Sequence, residues 1–247
     1  MARGAGHPCG AEAAPVMRDT YGRRAAAALA VLWLAAACAS APASSPGRDR
    51  AILLDPMHSE WTRPAPPVSR MRFETSKGNF VLELRREWAP LGVDRFYNLA
   101  RLGFYDDARF HRVSPNYIVQ FGLSGDPAVT AAWRGHTLPD DAPRSDNRRG
   151  TFAFAQMGPS TRLTQVYINL GDNSRNDVEP FSMLGTVVEG MDVVDRLYSG
   201  YGEDSGSGMR QGRQGPIEVG GNAYLDAEFP LLDRIVRVCI IAPVENC

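Results

Sequence analysis

Two polar residues lie among apolar strand residues near the middle of the chain. Arg112 and Gln120 are eight positions apart, and Pro115-Asn116 between them is typical of a turn. If a two-residue turn joins two short strands here, both side chains project from one face of a sheet. Arginine is a permanent cation, so the pair could bind a substrate through directional hydrogen bonds. A surface arginine and a hydrogen-bonded glutamine would also explain either residue taken alone.

Covalent and metal chemistry is not indicated by the sequence. The four histidines have no metal-ligand spacing, and no Gly-x-Ser-x-Gly motif is present. The four cysteines are too few for a disulfide-built scaffold, and they also lack the spacing of a metal site. We therefore expect neither a metal nor another cofactor.

Composition describes one ordinary globular domain with extensions. The chain has 247 residues, of which 44% are hydrophobic and 22% are charged. Its 27 basic and 28 acidic residues nearly balance, so no charge excess favours a nucleic-acid partner. We expect a monomer.

Periodicity predicts a mainly β fold that positions this pair. Two helices are predicted, one beginning at Pro90 and ending at Gly103 and one over 189–199. Two long loops are predicted at 122–150 and 201–222. Short strands with hairpin-type links favour a closed antiparallel β-barrel of about eight strands over alternating βαβ units. The strands are predicted at 71–75, 80–84, 109–114, 117–121, 151–156, 166–170, 182–187 and 234–242.

The N-terminus has the pattern of an export signal. An apolar run at 25–37 follows three arginines and precedes Cys38, and it is shorter than the roughly 20 residues that a membrane span needs. We predict a signal peptide over 1–37, with Met17 as an alternative start. The segment 34–38 resembles a bacterial lipoprotein signal, which predicts a lipid on Cys38 that anchors the protein to a membrane. Ordinary cleavage at these small residues, giving a free secreted protein, is the alternative.

The rest of the chain divides into a tether and a domain. A Pro-, Ala- and Ser-rich segment at 38–69 is predicted to be a flexible tether, although its apolar residues, including Trp61, could pack on the domain. The domain is predicted at 70–247 and includes a C-terminal extension. In an oxidising periplasm Cys239 and Cys247 could form a disulfide. A buried strand cysteine and a terminal thiol are an equally good interpretation.

Six segments, taken in order, resemble the cyclophilin family of peptidyl-prolyl isomerases. The match covers roughly residues 71 to 200, and six matches in sequence order are far more specific than any one of them. The segments are FETSKG at 73–78, FYNL at 96–99, FHRVSPNYIVQFG at 110–122, GTFAFAQMGP at 150–159, TQVYIN at 164–169 and LGTVVEGMDVV at 184–194.

The resemblance implies an enzyme that rotates the X-Pro bonds of proline-containing polypeptides. Arg112 would stabilise the twisted amide, Gln120 would hold the substrate carbonyl and orient Arg112, and Tyr117 would complete the catalytic set. A further set of residues would bind the peptide, although the apolar members could equally belong to the core. They are Ile118 and Tyr167 in the proline slot, Phe181 at its side, Ala155 and Gln156 through backbone groups, and Gln165 nearby.

Tyr117, Ile118 and Tyr167 replace commoner residues of the family but keep the pocket apolar, and two further departures are more serious. Asn176 stands near a position that is usually leucine, and Arg175 stands where cyclosporin-sensitive members have tryptophan. We therefore predict weak cyclosporin binding. The altered wall also leaves open a catalytically weak cyclophilin that binds peptides as a chaperone or scaffold, although retention of Arg112 and Gln120 favours the enzyme.

Overall fold

In a computed structural model, which describes residues 49–205 and 214–243, one eight-stranded sheet forms the fold. Every pair of neighbouring strands is antiparallel, in the order β3-β4-β6-β5-β7-β2-β1-β8. The strands are β1 Val68–Thr75, β2 Gly78–Arg85, β3 Arg112–Ser114, β4 Ile118–Phe121, β5 Thr151–Phe154, β6 Val166–Asn169, β7 Met183–Glu189 and β8 Ile235–Ala242.

The sheet curls so that its two edges approach each other. Arg109, just before β3, forms an isolated antiparallel bridge with Arg234, just before β8. The bridge is flanked by hydrogen bonds from the Phe110 amide to the Asp233 carbonyl at 3.0 Å and from the Ile235 amide to the Ala108 carbonyl at 2.9 Å. The predicted antiparallel, mainly β fold is confirmed, and in the described part of the chain the edges meet through this bridge rather than a continuous ladder.

Aromatic side chains fill the interior of the curled sheet. Phe73 and Phe80, paired across the β1–β2 hairpin, are fully buried and stack with ring centroids 5.0 Å apart. Phe96, from the helix that covers the sheet, lies 5.3 Å from Phe152 of β5. Alternation along β1 explains this arrangement, because one face of the strand is buried while the other is more exposed.

The structure describes more helices than the two that we predicted. They are α1 Arg50–Leu53, α2 Pro90–Arg101, α3 Pro127–Trp133, α4 Met191–Asp195 and α5 Gln214–Glu228, with 3₁₀ turns at Ser59–Thr62 and Ser174–Val178. The predicted helix at 90–103 is α2, and the one at 189–199 is the shorter α4. Helices α3 and α5 occupy parts of the two segments that we expected to be loops.

Local capping and tertiary packing explain these two helices. The Asp126 carboxylate accepts a hydrogen bond from the Ala128 amide at 2.9 Å and so caps α3, and Pro127 begins that helix. Helix α5 contains glycines and is kinked at Gly221, but its buried Ile217 packs in an apolar cluster with other side chains of the helix. Burial of that face outweighs the low helix propensity of glycine.

The described part of the predicted tether packs against the barrel. Leu53 and Trp61 are buried in the main core. The Trp61 ring meets Trp133 edge to face, with centroids 4.8 Å apart, and the Trp133 indole donates to the Leu53 carbonyl at 2.9 Å. Residues 49–67 are therefore part of the folded unit. This agrees with the possibility that the apolar residues of this segment pack on the domain.

Several predictions concern residues outside the described part of the chain. These are the signal peptide over 1–37, the lipidated Cys38 and the terminal Cys247, so the pairing of Cys247 with Cys239 of β8 stays a prediction. Within the described residues, no helix combines the length and the apolar character that crossing a bilayer would require.

Candidate active site

Strands β3 and β4 place Arg112 directly opposite Gln120. A tight turn connects the strands, with the Tyr117 amide donating to the Ser114 carbonyl at 3.0 Å and Asn116 in the left-handed region at φ 59°. The Arg112 Nη1 group donates to the Gln120 Oε1 atom at 3.2 Å. The expected common face of these two side chains is therefore present, and their contact follows from the register of the hairpin.

A chain of glutamine side chains continues from this pair. The Gln120 Nε2 group donates to the Gln165 Oε1 atom at 2.8 Å. Gln165 and Gln214, the first residue of α5, exchange two amide hydrogen bonds of 3.0 Å each. Gly122, just after β4, permits the close approach of the segment that contains Thr164 and Gln165, because a Cβ atom at position 122 would lie 2.5 Å from the Thr164 carbonyl oxygen.

The other edge of the Arg112 guanidinium contacts a carboxylate. Its Nε and Nη2 groups donate to the Glu203 Oε1 atom at 2.9 and 2.7 Å. The arginine side chain is 14% exposed and the glutamate side chain 34% exposed. Sequence reasoning missed both Glu203 and Gln214, since each belongs to a segment that we had assigned to a loop without a recognised motif.

A cavity of about 320 Å³, lined by both polar and apolar side chains, opens beside this polar group. Two of its apolar lining residues, Ile118 and Tyr167, are buried in one cluster with Ala153 and Met183. Of the nine predicted site residues, eight line the cavity, and the ninth, Gln165, is hydrogen-bonded to Gln120 instead. The lining residues are Arg112, Tyr117, Ile118, Gln120, Ala155, Gln156, Met157, Gly158, Tyr167, Asn176, Glu179 and Phe181.

Hydrogen bonding fixes Tyr167 at the base of the cavity. Its hydroxyl donates to the buried Asn147 Oδ1 atom at 2.7 Å, and its ring meets Phe181 edge to face at 5.5 Å. Burial raises the pKa of Tyr167 well above its usual value, so the hydroxyl remains a hydrogen-bond donor. Tyr167 therefore contributes an apolar ring to the cavity wall, and its hydroxyl stays un-ionised.

Tyr117 forms the cavity wall between two arginines. The guanidinium carbons of Arg112 and Arg175 lie 5.8 and 5.1 Å from its ring centroid, within the range of cation–π contacts. The Asn176 amide donates to the Tyr117 hydroxyl at 3.3 Å. Arg175 and Asn176, the two more serious departures from the family pattern, therefore both contact a predicted catalytic residue.

A buried histidine lies immediately before Arg112. His111 is 1% exposed, and its pKa is lowered to about 4, chiefly by burial and further by the positive charge of Arg112. At neutral pH His111 is therefore uncharged. Among the described residues, no group of three or more His, Cys, Asp or Glu side chains is arranged to hold a metal ion.

The family model for cyclophilin type peptidyl-prolyl cis-trans isomerases matches residues 70–214, which is more than half of the chain. The chain is a member of the cyclophilin family. The activity predicted from the sequence, peptidyl-prolyl cis-trans isomerisation, is the activity that defines this family, and that enzyme class is confirmed.

Individual relatives agree with this assignment. This cyclophilin is 34% identical over 138 residues to a peptidyl-prolyl cis-trans isomerase of Schizosaccharomyces pombe, covering 53% of this chain and 85% of the relative. It is 33% identical over 137 residues to a peptidyl-prolyl cis-trans isomerase of Acinetobacter baylyi, covering 51% of this chain and 70% of that protein.

A solved structure shows the same fold. The crystal structure of a cyclophilin type peptidyl-prolyl cis-trans isomerase from Cryptosporidium parvum superimposes with a TM-score of 0.52 at 18% identity. The superposition covers 72% of this chain and 99% of the other. At that identity the likeness concerns the fold alone.

Proposed function

We propose that this cyclophilin isomerises X-Pro bonds by using Arg112 to stabilise the twisted amide. No covalent bond breaks in this reaction, and the barrier of about 18–20 kcal/mol arises from the double-bond character of the amide. A group that donates a hydrogen bond to the prolyl nitrogen favours the twisted state, in which the nitrogen lone pair is localised. Because the planar isomers lack this localised lone pair, the interaction is stronger in the transition state, as catalysis requires.

One observation carries the proposal: Arg112 lines the same cavity as the buried apolar side chains Ile118 and Tyr167. The pyrrolidine ring is apolar, so the cavity can hold it by burial of apolar surface. Its amide bond would then lie beside the guanidinium. The low exposure of Arg112 reduces competition from water and strengthens its hydrogen bonds.

The neighbouring polar residues hold the peptide in the orientation that this geometry needs. In this proposal Gln120 binds the carbonyl before proline, and its hydrogen bonds with Arg112 and Gln165 support that role by fixing its side chain. Ala155 and Gln156 lie just after β5 on the cavity wall and offer backbone groups to an extended peptide.

The assay is protease-coupled isomerisation of a chromogenic tetrapeptide containing an Ala-Pro bond. We expect Arg112→Ala to lower kcat/KM on the order of 100-fold, as removal of one transition-state donor does in other enzymes. Peptide affinity should remain close to that of the wild type. Arg134→Ala is the matched control, because Arg134 is an exposed arginine that pairs with Glu218 away from the cavity.

The outcomes separate enzyme from binding protein. Full activity in Arg112→Ala would remove the arginine from the mechanism. A folded wild-type protein that binds the peptide without isomerising it would favour the alternative function, a peptide-binding chaperone or scaffold. Asn176, which lines the cavity beside Tyr117, is the residue that favours this alternative.

The substrates that we propose are proteins folding in a bacterial cell envelope, with this cyclophilin acting as a monomer. The apolar run at 25–37 and Cys38 support export and lipid anchoring. Expression of the full chain in a Gram-negative host with radiolabelled palmitate tests the proposal. Label in the wild type and none in Cys38→Ser would support it, whereas an unlabelled periplasmic protein would indicate ordinary secretion. Retention in the cytoplasm would contradict export.

A further inference from the structure

The carboxylate bound to Arg112 belongs to a segment far along the chain. Glu203 is 91 positions away in sequence, in the loop that follows α4. The loop is fixed to the strand region that carries the arginine, because the buried Ser205 hydroxyl donates to the His111 carbonyl at 2.8 Å. The position of the carboxylate is therefore tied to the backbone immediately before Arg112.

Glu203 and Gln120 hold the guanidinium from two sides. Glu203 accepts from Nε and Nη2, and Gln120 accepts from Nη1. Guanidinium has five N–H groups, so these contacts with described residues occupy three of them and leave two for a substrate. The ion pair is thus compatible with a role of Arg112 toward the prolyl nitrogen.

The Arg112–Glu203 ion pair stabilises the orientation of the guanidinium more than it stabilises the fold. An arginine side chain has several rotatable bonds, so it can adopt many rotamers, and charge-assisted hydrogen bonds of fixed direction can hold it in one of them. Arg112 is largely shielded from water, so this pair is weakened by solvent less than an exposed pair would be. The Glu203 side chain is partly exposed to solvent. A glutamine at this position, as in Glu203→Gln, would therefore not bury an unpaired polar group.

We propose that Glu203 is a positioning residue, which fixes the Arg112 guanidinium in the orientation that acts on the twisted amide. This inference rests on the proposed role of Arg112. It predicts a loss in kcat, because a loosely held donor is misplaced in the transition state. It predicts little change in KM, because the apolar side chains proposed to hold the proline ring are untouched.

The test compares Glu203→Gln with the wild type in the prolyl isomerisation assay, with kcat and KM determined separately. We expect kcat to fall on the order of tenfold and KM to stay within about twofold. In an Arg112→Ala background, Glu203→Gln should cause no further loss, because Glu203 acts through the arginine. Glu218→Gln is the matched control, since Glu218 pairs with Arg134 on the surface. Thermal unfolding of each variant shows whether its fold is intact.

The results distinguish this inference from the proposed function. An active wild type with an equally active Glu203→Gln variant would overturn the inference alone. It would also be overturned by a gain in activity, by a change confined to KM, or by a further loss in the Arg112→Ala background. A folded wild type without isomerase activity would overturn the proposed function, and the inference with it.

Discussion

His111 couples the stability of this cyclophilin to pH. The unfolded chain binds a proton on this side chain with the ordinary pKa of 6.5, whereas in the folded protein the pKa is lowered to about 4, chiefly by burial. Between these values the unfolded state binds more protons, so acidification favours unfolding. The stabilising contribution of neutral His111 is complete above pH 6.5 and is lost as the pH falls to 4.

The size of the effect follows from the two pKa values. Lowering the pH from 7 to 5 should reduce the free energy of unfolding by about 2 kcal/mol through this residue. Carboxylates such as Glu74, whose pKa is lowered below 4.5 by the hydrogen bond from Arg237, titrate mainly at lower pH. Between pH 7 and 5 such carboxylates therefore contribute little to the change in stability.

Chemical denaturation of the wild type and of His111→Gln, each at pH 7 and pH 5, measures this difference. The variant keeps every other histidine, so their contributions cancel in the comparison. We expect the loss of stability between the two pH values to be about 2 kcal/mol smaller in His111→Gln, whatever the absolute stability of the variant. An equal loss in both proteins would refute the assignment of this pH dependence to His111.

Three further predictions follow, one for the segment that precedes β1 and two for the cavity. Trp61→Ala should lower the free energy of unfolding by about 3–5 kcal/mol, because the buried ring packs on Trp133; a change under 1 kcal/mol in denaturant unfolding would contradict this. Tyr167→Phe should cost about 1 kcal/mol, for the hydrogen bond to Asn147, and leave kcat/KM nearly unchanged; a large kinetic loss would assign the hydroxyl to the reaction. Cyclosporin should bind weakly, because Arg175 stands where cyclosporin-sensitive members have tryptophan and Asn176 beside it lines the cavity; submicromolar inhibition of the purified protein would contradict that expectation.

Local sequence patterns were sufficient for the strands and for the central pair of the site. The β3–β4 hairpin has its turn at Pro115-Asn116, and its alternation places Arg112 opposite Gln120. Such features depend on residues a few positions apart, where turn chemistry and side-chain alternation act directly. The loop predictions at 122–150 and 201–222 were wrong where α3 and α5 lie. The local signals Asp126 and Pro127 at the start of α3 were missed, and both helices also depend on burial of apolar side chains in clusters that include residues from other parts of the chain.

The sequence by itself determined the fold class, the family and eight of the twelve residues that line the cavity. It did so because strand periodicity and the order of the six motifs are local properties of the chain. Only the tertiary structure revealed that Glu203 binds the far edge of the Arg112 guanidinium and that Gln214 binds Gln165. Those contacts join residues 91 and 49 positions apart. No spacing rule specifies such partners, because they meet only after the curled sheet has brought the loop after α4 and the start of α5 to the open end of β3 and β4.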